Sequence, residues 1–210
     1  MIYLASKSPR RKSIFELLGC QFEITKPNGV KEDKFTQKPL EETVISNASK
    51  KALSCAEAVS EGIIIGADTE VFLEGRIFGK PDDEEEAFEM LSLLKGKTHT
   101  VMTGVAVIDK GYTDETLLFY DVSNVTFHPF KDKEILAYIQ NNNCLDKAGA
   151  YAVQNAGSTI ISDISGSIWN VIGFPLEKFK EKIKEKRYSD LFSFPEKFKE
   201  KEFCLNYLTT

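Results

Sequence analysis

Two histidines and four cysteines are few for a chain of 210 residues, and each scarcity excludes something. Cys20, Cys55, Cys144 and Cys204 lie far apart with no C-x-x-C pair. That spacing rules out a zinc ribbon and offers no disulfide framework, so a reducing compartment is expected. His99 and His128 are too few and too separated for a histidine-based metal centre or nucleophile triad, and His99, beside a predicted strand start, reads as structural. No apolar run approaches the ~18 residues that cross a bilayer. Met1-Ile2-Tyr3-Leu4 runs straight into Ser6-Lys7-Ser8 without the charge-then-apolar order of a signal peptide. An excess of positive charge is also missing. A net charge of −5 argues against coating nucleic acid with a basic face, though not against a small local cluster of cations. The expectation is a cytoplasmic chain with neither a membrane nor a nucleic acid as partner.

What is present fits one globular domain able to bury a sizeable core, since 42% of residues are hydrophobic and 28% charged. Ile2 to Ala5 reads as a strand, followed by a helix with Ser8 as N-cap, Pro9 as first residue and Gly19 as stop. A strand near 22–25 and a Pro-Asn-Gly turn at 27–29 follow. Residues 40–59 read as a helix burying Leu40, Val44, Ala48, Cys55 and Val59. Gly62 to Leu73 reads as a buried strand with a hairpin turn at Glu74-Gly75. A helix opens after Asp82-Asp83 and buries Ala87, Met90, Leu91 and Leu94. Strands near 99–108 and 116–127, a helix at 131–140 and a mixed block from Asp146 to Pro175 complete an α/β or mixed α+β pattern.

The tail differs in composition. Residues 176–203 are rich in Lys, Glu and Phe, and Glu-Lys-Phe-Lys-Glu-Lys occurs at both 177–182 and 196–201. Leu176, Phe179 and Ile183 form a narrow apolar stripe that suits a terminal helix packed on the domain, with a partner-binding or oligomerisation element as the alternative.

Four places carry chemistry. Arg10 and Arg11 fall in the first turn of the helix capped by Ser8, the end that is already partly positive. An anion lying there would reverse that repulsion, and hydroxyls, backbone N–H groups and guanidinium forks together would make a phosphate cradle. A solvated basic patch is the competing reading. Lys51 shares a stripe with Val44, Ala48 and Cys55 whereas Lys50 points elsewhere. A lysine on an apolar face either snorkels or meets an anion, and its removal is expected to leave stability unchanged or higher. Asp68, in Gly66-Ala67-Asp68-Thr69 after the buried Ile63-Ile64-Ile65, can hold a divalent metal or orient a water, and Glu32 can add an oxygen ligand. Lys80 follows the hairpin, its loop restricted by Pro81.

Two phosphate-loop lookalikes fail. Gly75 to Lys80 has three intervening residues instead of four before Gly79-Lys80, with Pro81 in the hydroxyl position. Gly96-Lys97-Thr98 would need glycine where Leu91 stands. A Walker-type NTPase is excluded.

Taken in order, these segments resemble the Maf (septum-formation) family over almost the whole of residues 1–180. The blocks are Leu4-Ala5-Ser6-Lys7-Ser8-Pro9-Arg10-Arg11, Lys51-Ala52, Gly66-Ala67-Asp68-Thr69, Gly79-Lys80-Pro81, Gly96-Lys97-Thr98-His99 and Thr103-Gly104-Val105. Leu145-Asp146-Lys147-Ala148-Gly149-Ala150-Tyr151 through Gln154, and Val171-Ile172-Gly173-Phe174-Pro175, close the series.

The resemblance implies a two-lobed mixed α/β fold like that of inosine triphosphate pyrophosphatases, with an elongated mixed sheet and a central cleft. The family domain would span 1–186, leaving 187–210 as a charged C-terminal extension. The implied reaction splits a nucleoside triphosphate between its α- and β-phosphates, a house-cleaning role with a link to division arrest. By the same resemblance, Asp68 is the base and a ligand for Mg²⁺ or Mn²⁺, Glu32 assists it, and Ser6, Arg10, Lys51 and Lys80 hold the phosphates. Arg11, Thr69 and Gln154 match positions that mark a dTTP/UTP branch, as opposed to a 7-methyl-GTP branch. Homodimers are usual among such proteins. Lys31 stands before Glu32 where many relatives have an acid, Ser46-Asn47 replaces a common Arg-Leu, and Phe174 replaces a leucine. Lys31 leaves one further reading open, a nucleotide-binding regulator of division with weak catalysis.

Overall fold

The computed structural model of the chain describes residues 1–33, 39–153, 160–200 and 203–204. Among them, seven strands form one mixed sheet: β1 (Ile2–Ala5), β2 (Phe22–Ile24), β3 (Gly62–Leu73), β4 (Arg76–Phe78), β5 (Thr98–Lys110), β6 (Thr116–Phe127) and β7 (Ile161–Ser165). Their order is β2-β1-β3-β5-β6-β7, with β4 also beside β3. Helices α1 (Pro9–Leu17), α2 (Leu40–Ala56), α3 (Glu84–Leu94), α4 (Asp132–Asn141), α5 (Ile168–Ile172) and α6 (Leu176–Ile183) cover it. The expected mixed α/β architecture is what the chain adopts.

β3 is the spine, and its two ends have different neighbours on one side. Ile63–Gly66 pairs in parallel with Ile2–Ala5, whereas Val71–Leu73 pairs antiparallel with β4 through the two-residue turn Glu74-Gly75. Both turn residues have positive φ, 51° and 82°, as the twist of a tight hairpin demands. Between these pairings, residues 67–70 have no strand partner on that side among the described residues. On the other side β3 pairs continuously with β5 from Gly62 to Phe72. The gap exposes one edge of an otherwise buried strand.

Two apolar clusters flank the gap. One gathers Leu4, Ile14, Phe15, Trp169, Phe174 and Phe179, and the other Val71, Leu91, Val101, Phe127, Ile135 and Tyr151. α2 lies on the remaining face, drawn in by two glycines. A Cβ at Gly66 would stand 2.3 Å from the Ala48 carbonyl oxygen, and one at Gly104 would stand 2.4 Å from that of Val44. Only glycine admits the helix so near.

The tail is packed, as its apolar stripe predicts: Leu176, Phe179 and Ile183 are buried. The chain beyond residue 186 returns over the same cluster through Tyr188, Phe192, Phe198 and Cys204. Trp169 Nε1–H donates to the Phe198 carbonyl at 2.5 Å, and Arg187 pairs with Asp109 while lying over the Tyr112 ring. No helix among the described residues is long and apolar enough to cross a membrane.

Candidate active site

The β3 gap is the floor of a cleft of about 440 Å³. From one end, the chain leaving β1 turns at Ser6–Ser8 into α1. Ser6 Oγ accepts the Ser8 N–H at 3.1 Å, and Ser8 Oγ accepts the Arg11 N–H at 3.4 Å as the N-cap. The positive end of α1 therefore faces the cleft, which is lined by Lys7, Ser8, Arg10 and Arg11. From the other end, β4 delivers Gly79 and Lys80, and the Gly79 carbonyl accepts the Gly149 N–H at 3.0 Å. Lys147 and Tyr151 close the far wall.

Strand alternation sorts the floor into two chemistries. Asp68 and Glu70 face α2. Asp68 is only 4% exposed, and Lys51 Nζ donates to its Oδ1 at 2.5 Å while also standing 2.9 Å from Glu32 Oε1. The anion expected at Lys51 is thus Asp68 itself, which is not a snorkelling arrangement. That changes the expected effect of removing Lys51: a buried carboxylate would lose its counter-ion, so stability should fall. Lys50 does point elsewhere, to Asp33. Burial, then the charges of Asp68 and Glu32, push the Glu70 carboxyl up to about 8.

Thr69 faces the opposite way, toward α5. There the two arginines of α1 divide. Arg11 turns inward and is 9% exposed. It donates through Nε to the Gly173 carbonyl at 2.8 Å, through Nη2 to Thr69 Oγ1 at 2.9 Å and through Nη1 to Ser6 Oγ at 3.5 Å. Burial pushes its guanidinium down to about 10 against the pull of Asp68. Its fork is committed to the protein and does not extend the phosphate cradle. Arg10 stays in the cleft and reaches across it to Asp146, Nη1 to Oδ2 at 3.3 Å. Burial raises the Asp146 carboxyl, but Lys147 and Arg10 outweigh it and hold the group below the usual range.

Of the residues expected at the site, Glu32, Lys51, Asp68, Thr69, Lys80, Arg10 and Arg11 line one cleft. Ser6 is buried behind it, supporting Ser8 and Arg11. Gln154 lies outside the described residues. Sequence reasoning missed Glu70, Asp146, Lys147 and Asn47. Glu70 was detectable, since two residues after Asp68 on a strand is the same face.

The carboxylates suit a hard divalent cation, which takes oxygen ligands. Glu32 and Asp68 share a single ammonium, and the Glu70 carboxyl is pushed toward its neutral form beside them. That is an excess of negative potential which a cation would relieve. No three acidic, histidine or cysteine groups among the described residues form a preassembled cage. The donor set fits Mg²⁺ or Mn²⁺ held by one or two carboxylates together with phosphate oxygens, the usual habit of such ions.

Residues 1–186 match the family described as Maf-like protein. A dTTP/UTP pyrophosphatase of Bacillus cereus is 45% identical over 184 residues, 88% of this chain and 89% of the relative. A dTTP/UTP pyrophosphatase of Carboxydothermus hydrogenoformans is 41% identical over 187 residues, 89% of this chain and 99% of the relative. Among solved structures, the Staphylococcus aureus Ham1 protein superposes with a TM-score of 0.43 at 14% identity, over 62% of this chain and 73% of that one.

Proposed function

This chain belongs to the Maf family, and from that premise we propose that it hydrolyses dTTP and UTP to the nucleoside monophosphate and pyrophosphate. The observation that carries the reading is the buried Asp68–Lys51 pair at the base of a cleft whose walls supply Arg10, Lys80 and Lys147. A triphosphate needs cations along its length and one carboxylate at the scissile bridge, and this cleft offers that combination.

In the proposed mechanism Arg10, Lys51 and Lys80 neutralise and orient the phosphate chain, helped by the N-terminus of α1, with Ser6 fixing the turn that aims it. Asp68 is the general base. It takes a proton from a water whose oxygen bonds to phosphorus at the α–β bridge, and the bridge breaks to release pyrophosphate and the monophosphate. Asp68 and Glu32 would hold Mg²⁺ or Mn²⁺, whose chemistry when bound is to neutralise phosphate charge and acidify water. Thr69, kept in place by Arg11, and Gln154 would read the pyrimidine edge, since uncharged side chains with donors and acceptors suit uracil and thymine. The enzyme is proposed to work in the cytoplasm as a homodimer, clearing unwanted pyrimidine nucleotides.

A panel of dTTP, UTP, purine triphosphates and 7-methyl-GTP with Mg²⁺ or Mn²⁺, reading pyrophosphate and free phosphate separately, tests the reading. Pyrophosphate from dTTP and UTP supports it. Preference for 7-methyl-GTP would move the chain to the other branch, and nucleotide binding without product would make it a regulator.

A further inference from the structure

Ser46-Asn47, the pair that departs from the common Arg-Leu, does not lie idle on the helix surface. Asn47 is on α2 one turn before Lys51 and is fully buried, 0% exposed. Positions four apart on a helix share a face. Here both grasp the same carboxylate: Lys51 Nζ donates to Asp68 Oδ1 at 2.5 Å, and Asn47 Nδ2 donates to Asp68 Oδ2 at 3.1 Å.

The same two side chains also seize the segment that carries Glu32. Lys51 pairs with Glu32, and Asn47 Oδ1 accepts the Asp33 N–H at 2.7 Å while its Nδ2 lies 3.3 Å from the Asp33 carbonyl. Ser46 Oγ donates to Asp33 Oδ2 at 2.7 Å, and Lys50 Nζ donates to Asp33 Oδ1 at 2.5 Å. Four side chains on two adjacent turns of one helix, Ser46, Asn47, Lys50 and Lys51, therefore lock Glu32 and Asp68 to a common frame.

We propose that Asn47 is a positioning residue of the active site, fixing the orientation of Asp68 and the approach of Glu32, and that Ser46 and Asp33 complete this clamp. The assignment rests on the catalytic reading of Asp68 given above. Its physical logic is that an ionised carboxylate with two free rotations must be held if one oxygen is to face a metal or a water. Asn47 occupies Oδ2 with a neutral donor, so Oδ1 is the oxygen left for chemistry once Lys51 turns to phosphate. The clamp also gives a role to the segment around Lys31. Its backbone carbonyl accepts from Lys50 Nζ at 3.3 Å, so the clamp also holds the main chain of the residue before Glu32.

Asn47→Leu and Asn47→Ser, made in the full chain, test this. Partners behind metal-binding or catalytic groups are each worth roughly 10–100-fold, so kcat for UTP should fall by that factor while KM stays within about twofold. Direct titration of the nucleotide-free protein with Mn²⁺ should show affinity reduced by about the same range. Loss of folding alone would lower the active fraction without weakening Mn²⁺ binding in the folded part. Wild-type kcat and Mn²⁺ affinity in either folded variant, beside an inactive Asp68→Asn, would overturn the assignment and leave the catalytic reading standing. An Asp68→Asn variant that still turns over would overturn both.

Discussion

Arg11 donates to Thr69 Oγ1 at 2.9 Å, so two of the three residues proposed to set nucleobase preference are one hydrogen-bonded unit. Thr69 also exchanges a hydrogen bond with Thr103, which donates to the Asn170 carbonyl. Arg11→Ala should therefore loosen Thr69 as well as remove a charge. We expect it to reduce the preference for UTP over GTP by about tenfold or more, measured as a ratio of kcat/KM values, because a hydrogen-bonding site loses orders of magnitude when its partners are misplaced.

Gln154→Glu should lower UTP hydrolysis, since a carboxylate loses both amide donors and repels a pyrimidine carbonyl. The comparison of kcat/KM for UTP and for CTP checks it. An unchanged preference would remove Gln154 from base reading.

Arg10→Ala, Lys51→Ala and Lys80→Ala should each lower turnover by ~10²-fold, the usual effect of deleting one preorganised charge. Their stabilities should differ. Arg10 and Lys80 sit at the cleft wall, and their removal should leave the melting temperature nearly unchanged. Lys51→Ala should destabilise by roughly 3 kcal/mol, because it strands the buried Asp68. Denaturant titration separates them, and the double variant Lys51→Ala with Asp68→Asn should recover most of the loss.

His99 supplies a pH signature from behind Tyr151, a residue of the cleft wall. It is buried against Phe127 and Tyr151, with Nε2 2.7 Å from the Tyr151 hydroxyl and Nδ1 unpaired. Burial pushes it down to about 4 from 6.5. Below pH 6.5 the unfolded chain takes up a proton that the folded chain refuses, so folding stability is lost as pH falls from about 6.5 toward 4 and is fully present above. The total is on the order of 3 kcal/mol. Thermal melts across that window should show His99→Gln losing less stability toward acid than the wild type. Parallel curves would refute it.

Much of the site was legible because its residues obey local rules. Ser8-Pro9 announces a helix start, Asp68 follows the apolar run Ile63-Ile64-Ile65 within β3, and Lys51 sits on the apolar face of α2. What was not legible depends on distant pairing. The split neighbours of β3, which open the gap at 67–70, come from strands on both sides of it in the chain. The inward turn of Arg11 depends on a carbonyl 162 residues away. Asp146 carries no sign in sequence that it will meet Arg10. Ser46-Asn47 read only as a departure from a common Arg-Leu pair, since only the folded chain shows that the Asn47 amide lies against Asp68.

The most direct measurement is product analysis of UTP hydrolysis by phosphorus NMR, with the wild type and Asp68→Asn run side by side in Mg²⁺ or Mn²⁺. UMP and pyrophosphate in equal amounts from the wild type, and neither from a folded Asp68→Asn, is the predicted result. UDP with inorganic phosphate, or undiminished turnover by Asp68→Asn, would contradict the account.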